Sequence, residues 1–120
     1  MVALPWWLPF GRVPEITAEA LHQQLESGLP PQLLDVRQPS EFRAGHIAGA
    51  VNVPIGSLAA RLPELGLDPQ RPVVVICLTA HRSIPAVRLL RQAGFHCVYH
   101  LAGGLLAWRR RSLAEVRSEG

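Results

Sequence analysis

Along the 120-residue chain, short unbroken apolar runs alternate with longer stretches whose apolar residues recur three and four apart, the pattern of strands alternating with amphipathic helices. Thr17 is placed to cap a helix over residues 18–27, with Leu21 and Leu25 one turn apart and Gly28 as its stop. Pro30-Pro31 forces an extended entry into Leu33-Leu34-Asp35-Val36, a short predicted strand. Pro39 and the cap-type Ser40 open a short helix that Gly45 ends, and residues 50–54 form the next strand. Ser57 is read as the cap of a helix carrying Leu58, Leu62 and Leu65 on one side, bent or ended by Pro63. Val73-Val74-Val75-Ile76 is apolar at every position, as expected of a strand buried on both faces of a parallel sheet, and is predicted to be central. A loop over residues 77–82 leads into a helix over 83–93, where Ala86, Leu89, Leu90 and Ala93 follow the i, i+3, i+4, i+7 spacing and Pro85 fits the first turn. Residues 97–100 give a last strand, Gly103-Gly104 a turn, and the chain from Leu105 to about Val116 a final helix.

Repeated β-α order implies a parallel sheet with helices on both faces, and the length allows one such domain. We divide the chain into an apolar Pro/Trp-rich arm (1–14), the domain (15–112) and a tail (113–120). The arm's Trp6, Trp7 and Phe10 are expected to strap over the domain.

An apolar fraction of 48% with 18% charged residues excludes disorder along the whole length. No apolar run is long enough to span a bilayer, which argues against integral membrane association. The start lacks a basic region and is interrupted by Pro5 and Pro9, against a secretory signal. All 12 basic residues are arginine and the net charge is +3. The dense cluster Arg109-Arg110-Arg111 has no stacking aromatics between its members, so it reads as a solvated helix face and no nucleic-acid partner is expected. Two cysteines, Cys77 and Cys97, are too few for a disulfide framework. Free thiols suit a reducing compartment, and a cytoplasmic location is expected.

Ligands of parallel α/β sheets bind at the carboxyl ends of the strands, and the loop after the most buried strand begins with Cys77. Successive loop amides and the amino terminus of the following helix direct partial positive charge at that position, which stabilises a thiolate or an anion attached to the sulfur. Arg82 adds a permanent cation with two donors for an anion. Read otherwise, Cys77 is an inert buried residue at a strand end. Cys97, within a strand and beside no cation, is read as structural. His96, Cys97 and His100 lie close in sequence, but along a strand the two histidines stand about 13 Å apart, too far to share a zinc ion.

Three stretches in order resemble the single-domain rhodanese family of sulfurtransferases. Leu33-Leu34-Asp35-Val36-Arg37-Gln38-Pro39-Ser40-Glu41-Phe42, continuing through Gly45-His46-Ile47-Ala48-Gly49-Ala50-Val51-Asn52-Val53-Pro54, is similar to the family's amino-terminal signature. The Cys77 loop resembles its active-site loop, and Leu101-Ala102-Gly103-Gly104-Leu105-Leu106-Ala107-Trp108 its carboxyl-terminal signature. The resemblance spans residues 16–108 and implies a central, mostly parallel five-stranded sheet with helices on both faces. It implies that Cys77 is a nucleophile that takes a sulfane sulfur from a donor, becomes a persulfide and passes the sulfur to a thiophilic acceptor. Loop amides of Leu78, Thr79, Ala80, His81, Arg82 and Ser83 would cradle the terminal sulfur, and Arg82 would hold an anionic donor such as thiosulfate. Cyanide, a thiol or a sulfur-accepting protein would be the acceptor, with no metal or organic cofactor required.

Many members carry glycine at the position of Ala80. If that residue needs positive φ, alanine there costs about 1 to 2 kcal/mol. His81 is not a fixed family residue and is read as adjusting loop charge near neutral pH. Arg37 and Glu41 are close enough to pair, Asp35 can tie down neighbouring loop amides, and His46 is read as a structural histidine. A related fold carries phosphatases with five residues between cysteine and arginine. Here four separate Cys77 from Arg82, a loop suited to one sulfur atom and tight for phosphate. A non-enzymatic sulfur carrier or partner-binding module is the remaining alternative, and it would accept sulfur readily yet pass it slowly to cyanide or small thiols.

Overall fold

The computed structural model describes residues 14–80 and 82–118, so the Trp6, Trp7 and Phe10 arm and His81 lie outside the described residues. In chain order the elements are β1 (Glu15–Ile16), α1 (Ala18–Glu26), β2 (Gln32–Asp35), α2 (Pro39–Ala44), β3 (Val51–Asn52), α3 (Ile55–Arg61), β4 (Val73–Ile76), α4 (Ser83–Gln92), β5 (Val98–Leu101) and α5 (Gly104–Arg110). The strands form one parallel sheet in the order β1-β5-β4-β2-β3.

The uniformly apolar β4 is the middle strand because each of its faces has a core to fill. Val73, Val75 and Cys77 join Leu58 of α3 and Ala86, Val87 and Leu90 of α4 on one side of the sheet. Val74 and Ile76 join Leu21 of α1 and Leu105 and Trp108 of α5 on the other. Val73 to Ile76 are at most 1% exposed, so a polar side chain on either face of this strand would meet hydrocarbon.

Hydrophobic patterning gives four of the five strands. The fifth, β1, pairs Glu15 with His100 and Ile16 with Leu101, and two residues are too few to show a period. Thr17 caps α1 as expected, its hydroxyl accepting the Ala20 N–H at 3.1 Å. Two caps differ from expectation. The α2 cap is Gln38 rather than Ser40, because Glu41 reaches back to the Gln38 N–H in a capping box. Helix α3 begins at Ile55, after Pro54, and gives way to a 3-10 turn at Leu62–Glu64 containing Pro63, which lacks the amide a continued α-helix needs.

The final helix stops at Arg110, short of the expected Val116. Ser112 adopts a left-handed φ of 55°, and the chain folds back so that Trp108 Nε1 donates to the Ala114 carbonyl at 3.0 Å. Val116 and His46 then exchange both backbone hydrogen bonds, at 2.9 and 2.8 Å. Helical periodicity cannot report such a return, since it is fixed by a partner seventy residues away in sequence. The arginines at the end of α5 form an exposed face, with Arg109 paired to Glu115 and Arg111 to Glu19. Among the described residues no helix is long and apolar enough to cross a membrane.

Candidate active site

The carboxyl ends of β2, β4 and β5 converge, and Cys77 follows β4 at that edge, 1% exposed. Loop direction is set from below by α5. The N–H of Leu105 donates to the Cys77 carbonyl at 2.8 Å and that of Leu106 to the Leu78 carbonyl at 3.1 Å. With these carbonyls engaged by α5, the following amides are free to turn toward the sulfur. The approach is close enough that Gly104, at φ 63°, has no room for a side chain, since a Cβ there would overlap the Leu78 carbonyl and lie 2.6 Å from the Cys77 oxygen.

From above, the sulfur is met by the start of α4. The Arg82 N–H donates to Cys77 Sγ at 3.3 Å. Burial pushes the thiol up, but backbone hydrogen bonds from Arg82 and Thr79 and the Arg82 side chain outweigh it, leaving Cys77 below the ordinary thiol range. The loop therefore favours the thiolate form of Cys77 more than water does. Ala80 has φ 84°, so the positive φ considered for it from the sequence is the one it adopts. Its carbonyl is held by the Ser83 hydroxyl, which donates at 2.7 Å, and the buried Ser83 also faces His100 Nδ1 at 3.4 Å. His100 is pushed below the ordinary imidazole range by burial, partly offset by Glu15, whose carboxylate lies 3.5 Å from Nε2.

Of the loop positions singled out from sequence, Thr79 is exposed, Leu78, Ala80 and Arg82 are half-buried and Ser83 is fully buried. Leu78 packs into the core beside α1 and α5, whereas Ile84 stays 36% exposed at the rim.

The expected pairing of Arg37 with Glu41 is not what forms. Arg37 donates through Nε and Nη2 to the Asp35 carboxylate, with a shortest distance of 2.8 Å, and both side chains are buried. Asp35 also accepts the Arg37 N–H at 3.0 Å, the amide-fastening role read from its place at the strand end. Arg37 continues to the Gly45 carbonyl at 2.8 Å and fixes the chain around α2. His46 is buried, stacked on Phe42 at 3.6 Å and bonded through Nδ1 to the Phe42 carbonyl.

Glu41 instead reaches across to the loop. Its two carboxylate oxygens take Arg82 Nη1 at 2.9 Å and Nη2 at 3.2 Å, a bidentate pair. The Arg82 hydrogen bond, partly opposed by burial and helped by the Gln38 N–H, holds the Glu41 carboxyl down at about 2. Glu41 and Arg82 are 41 residues apart, and sequence spacing carried no sign of their meeting. The Gln38-to-Glu41 spacing is that of a capping box, a local signal that the reading of Ser40 as the cap passes over. That α2 projects this carboxylate over β4 follows only from β2 and β4 being neighbours.

Both cysteines are free. Cys97 precedes β5, where its carbonyl accepts the Val73 N–H at the opposite end of β4 from Cys77.

The family model described as "Rhodanese-like domain" matches residues 17–111. The chain belongs to the rhodanese family. A protein named sulfurtransferase from Allochromatium vinosum is 37% identical over 108 residues, covering 90% of this chain and 99% of its own. A rhodanese-related protein from Thermoplasma volcanium has a crystal structure that superimposes with a TM-score of 0.78 at 30% identity, covering 88% of this chain and 99% of that one. The crystal structure of a thiosulfate sulfurtransferase from Pseudomonas aeruginosa covers 89% of this chain with a TM-score of 0.76 and 28% identity, and the match spans 21% of that longer chain. Rhodanese-like domains of this set share the parallel five-stranded sheet and support sulfur transfer as the general chemistry.

Proposed function

We propose that the protein is a sulfurtransferase that moves a sulfane sulfur from thiosulfate or a low-molecular-weight persulfide to cyanide or a thiol through a persulfide on Cys77. The observation that carries this reading is the Cys77 sulfur at the end of β4, bonded by the Arg82 N–H at 3.3 Å and held below the ordinary thiol range. In the first step the Cys77 thiolate attacks the terminal sulfur of the donor, a sulfur–sulfur bond forms, and the donor's own bond to that sulfur breaks. Thiosulfate leaves as sulfite, or an organic persulfide leaves as its thiolate. In the second step the acceptor attacks the terminal sulfur of the Cys77 persulfide and the Cys77 thiolate returns, so the enzyme undergoes no net redox change. The terminal sulfur anion is received by the amides that already face Sγ. Free thiols at opposite ends of the sheet suit this chemistry in the reducing cytoplasm.

Intact mass after exposure to each donor, with the modified residue mapped under non-reducing conditions, tests the reading. A gain of one sulfur atom on Cys77, lost on addition of cyanide, is expected. Cys77→Ser abolishes the gain and Cys97→Ser keeps it, since Cys97 lies at the far end of the strands. Gain of sulfur without transfer to cyanide or thiols would mark a carrier whose acceptor is a protein. No gain with either donor in a folded protein would overturn the reading.

A further inference from the structure

The loop's cation is already engaged. Among the charged side chains described, Arg82 is the one whose charge acts on the Cys77 thiol, and both of its terminal nitrogens are taken by Glu41, at 2.9 and 3.2 Å. The carboxylate is itself fixed, because Oε1 also accepts the Gln38 N–H at 2.9 Å in the α2 capping box. The α2 backbone at Glu41 is steadied in turn by Arg37 Nη1, which donates to the Glu41 carbonyl at 3.4 Å. Each partner of the ion pair is 31% exposed, so the pair sits at the rim, where an incoming donor passes it. A dianion arriving at the thiol therefore meets a neutralised rim and a fixed carboxylate, in addition to the charge of the thiolate.

We propose that Glu41 sets the charge of the donor this site accepts: by holding Arg82 it withdraws the guanidinium from the donor, so the pocket favours persulfides, whose reacting end carries at most one negative charge, over the thiosulfate dianion. This rests on the sulfurtransferase reading of Cys77. Glu41 is on this account a specificity-determining residue that acts through Arg82 and the local field. In the wild type Arg82 gives the sulfur its backbone N–H and the field of its side chain, while both terminal nitrogens are bound to Glu41 at the rim.

Two ratios test it, each normalising for the reactivity of the thiol. The first is alkylation of Cys77 by iodoacetate relative to neutral iodoacetamide, which reads the field at the sulfur without any sulfur transfer. Glu41→Gln is expected to raise it about fivefold, the effect of removing one charge several ångströms away across a partly screened rim. The second is kcat/KM for thiosulfate relative to glutathione persulfide, expected to rise about tenfold or more in Glu41→Gln because the donor is doubly charged. In the wild type, without any substitution, kcat/KM for thiosulfate should hold or rise as ionic strength increases, because salt screens the repulsion between the dianion and the thiolate. A steep fall with added salt would show an unneutralised cation at the mouth and overturn the proposal. Ratios unchanged in a Glu41→Gln variant with wild-type melting would overturn it as well. A shifted alkylation ratio with no persulfide formed from either donor would leave the charge gate standing and remove the sulfurtransferase reading instead.

Discussion

Replacing Gly104 by alanine tests whether α5 holds the Cys77 loop in place. Gly104 has φ 63°, and a Cβ there would overlap the Leu78 carbonyl and lie 2.6 Å from the Cys77 oxygen. The left-handed conformation costs an alanine about 1 to 2 kcal/mol. The collision is with backbone, so relief requires α5 and the loop to separate, which weakens the hydrogen bonds from Leu105 to Cys77 and from Leu106 to Leu78. Each is worth about 0.5 to 1.5 kcal/mol net. The unfolded chain of the variant has less entropy to lose, which returns about 0.4 to 1 kcal/mol. A net loss of about 3 kcal/mol follows, and in a domain of this size that lowers Tm by about 12 °C. Gly94 supplies the control: at φ 98° it needs the same left-handed placement, but a Cβ there meets nothing within 4 Å. Gly94→Ala should cost about 1 kcal/mol or less, the strain without the collision. Urea denaturation gives both stabilities, and the pH midpoint of Cys77 alkylation reports on the loop. Gly104→Ala should move that midpoint up toward the ordinary thiol value, and Gly94→Ala should not. Equal stability losses with unmoved midpoints would refute the idea that this close approach positions the thiol.

Asp35→Asn should destabilise the fold by about 3 to 5 kcal/mol in urea, because it leaves the guanidinium of Arg37 buried without its carboxylate. Ala80→Gly should leave the urea midpoint at or above that of the wild type, since relief of about 1 to 2 kcal/mol at φ 84° meets or exceeds the entropic cost of about 0.5 to 1 kcal/mol. A clear loss there would mean that the left-handed loop residue is not strained. Glu41 is lowered from 4.5 to about 2 chiefly by its Arg82 hydrogen bond, so its contribution to stability is fully present above pH 4.5 and disappears as pH falls toward 2. The difference in urea midpoint between wild type and Glu41→Gln should therefore shrink across that window. A constant difference from pH 6 to 2.5 would contradict the pairing.

The layered α/β architecture and the position of Cys77 could be read from the chain alone, because both are written in local terms. Four valine and isoleucine residues in a row can be buried only between two layers, which makes β4 central and puts Cys77 at its carboxyl end. The stop at Gly94 and the Thr17 cap were legible for the same reason, as each acts within a turn of its own helix, whereas α1 ends at Glu26 with Ser27, not Gly28, as its cap. The structure decided whatever depends on contacts between elements. Strand β1 is visible only as pairs with His100 and Leu101, and the return of residues 113–118 only as pairing with His46 and Arg43. The partner of Arg82 is the clearest instance. Two candidate carboxylates, Asp35 and Glu41, precede it in the chain, and Arg37 competes for both. Burial beneath α2 gives Asp35 to Arg37, because a fully buried carboxylate needs the nearest fixed fork of donors, and leaves Glu41 at the rim for Arg82. Spacing along the chain cannot rank those pairings, since the ranking is set by which strands lie side by side and how deeply each charge is taken out of water.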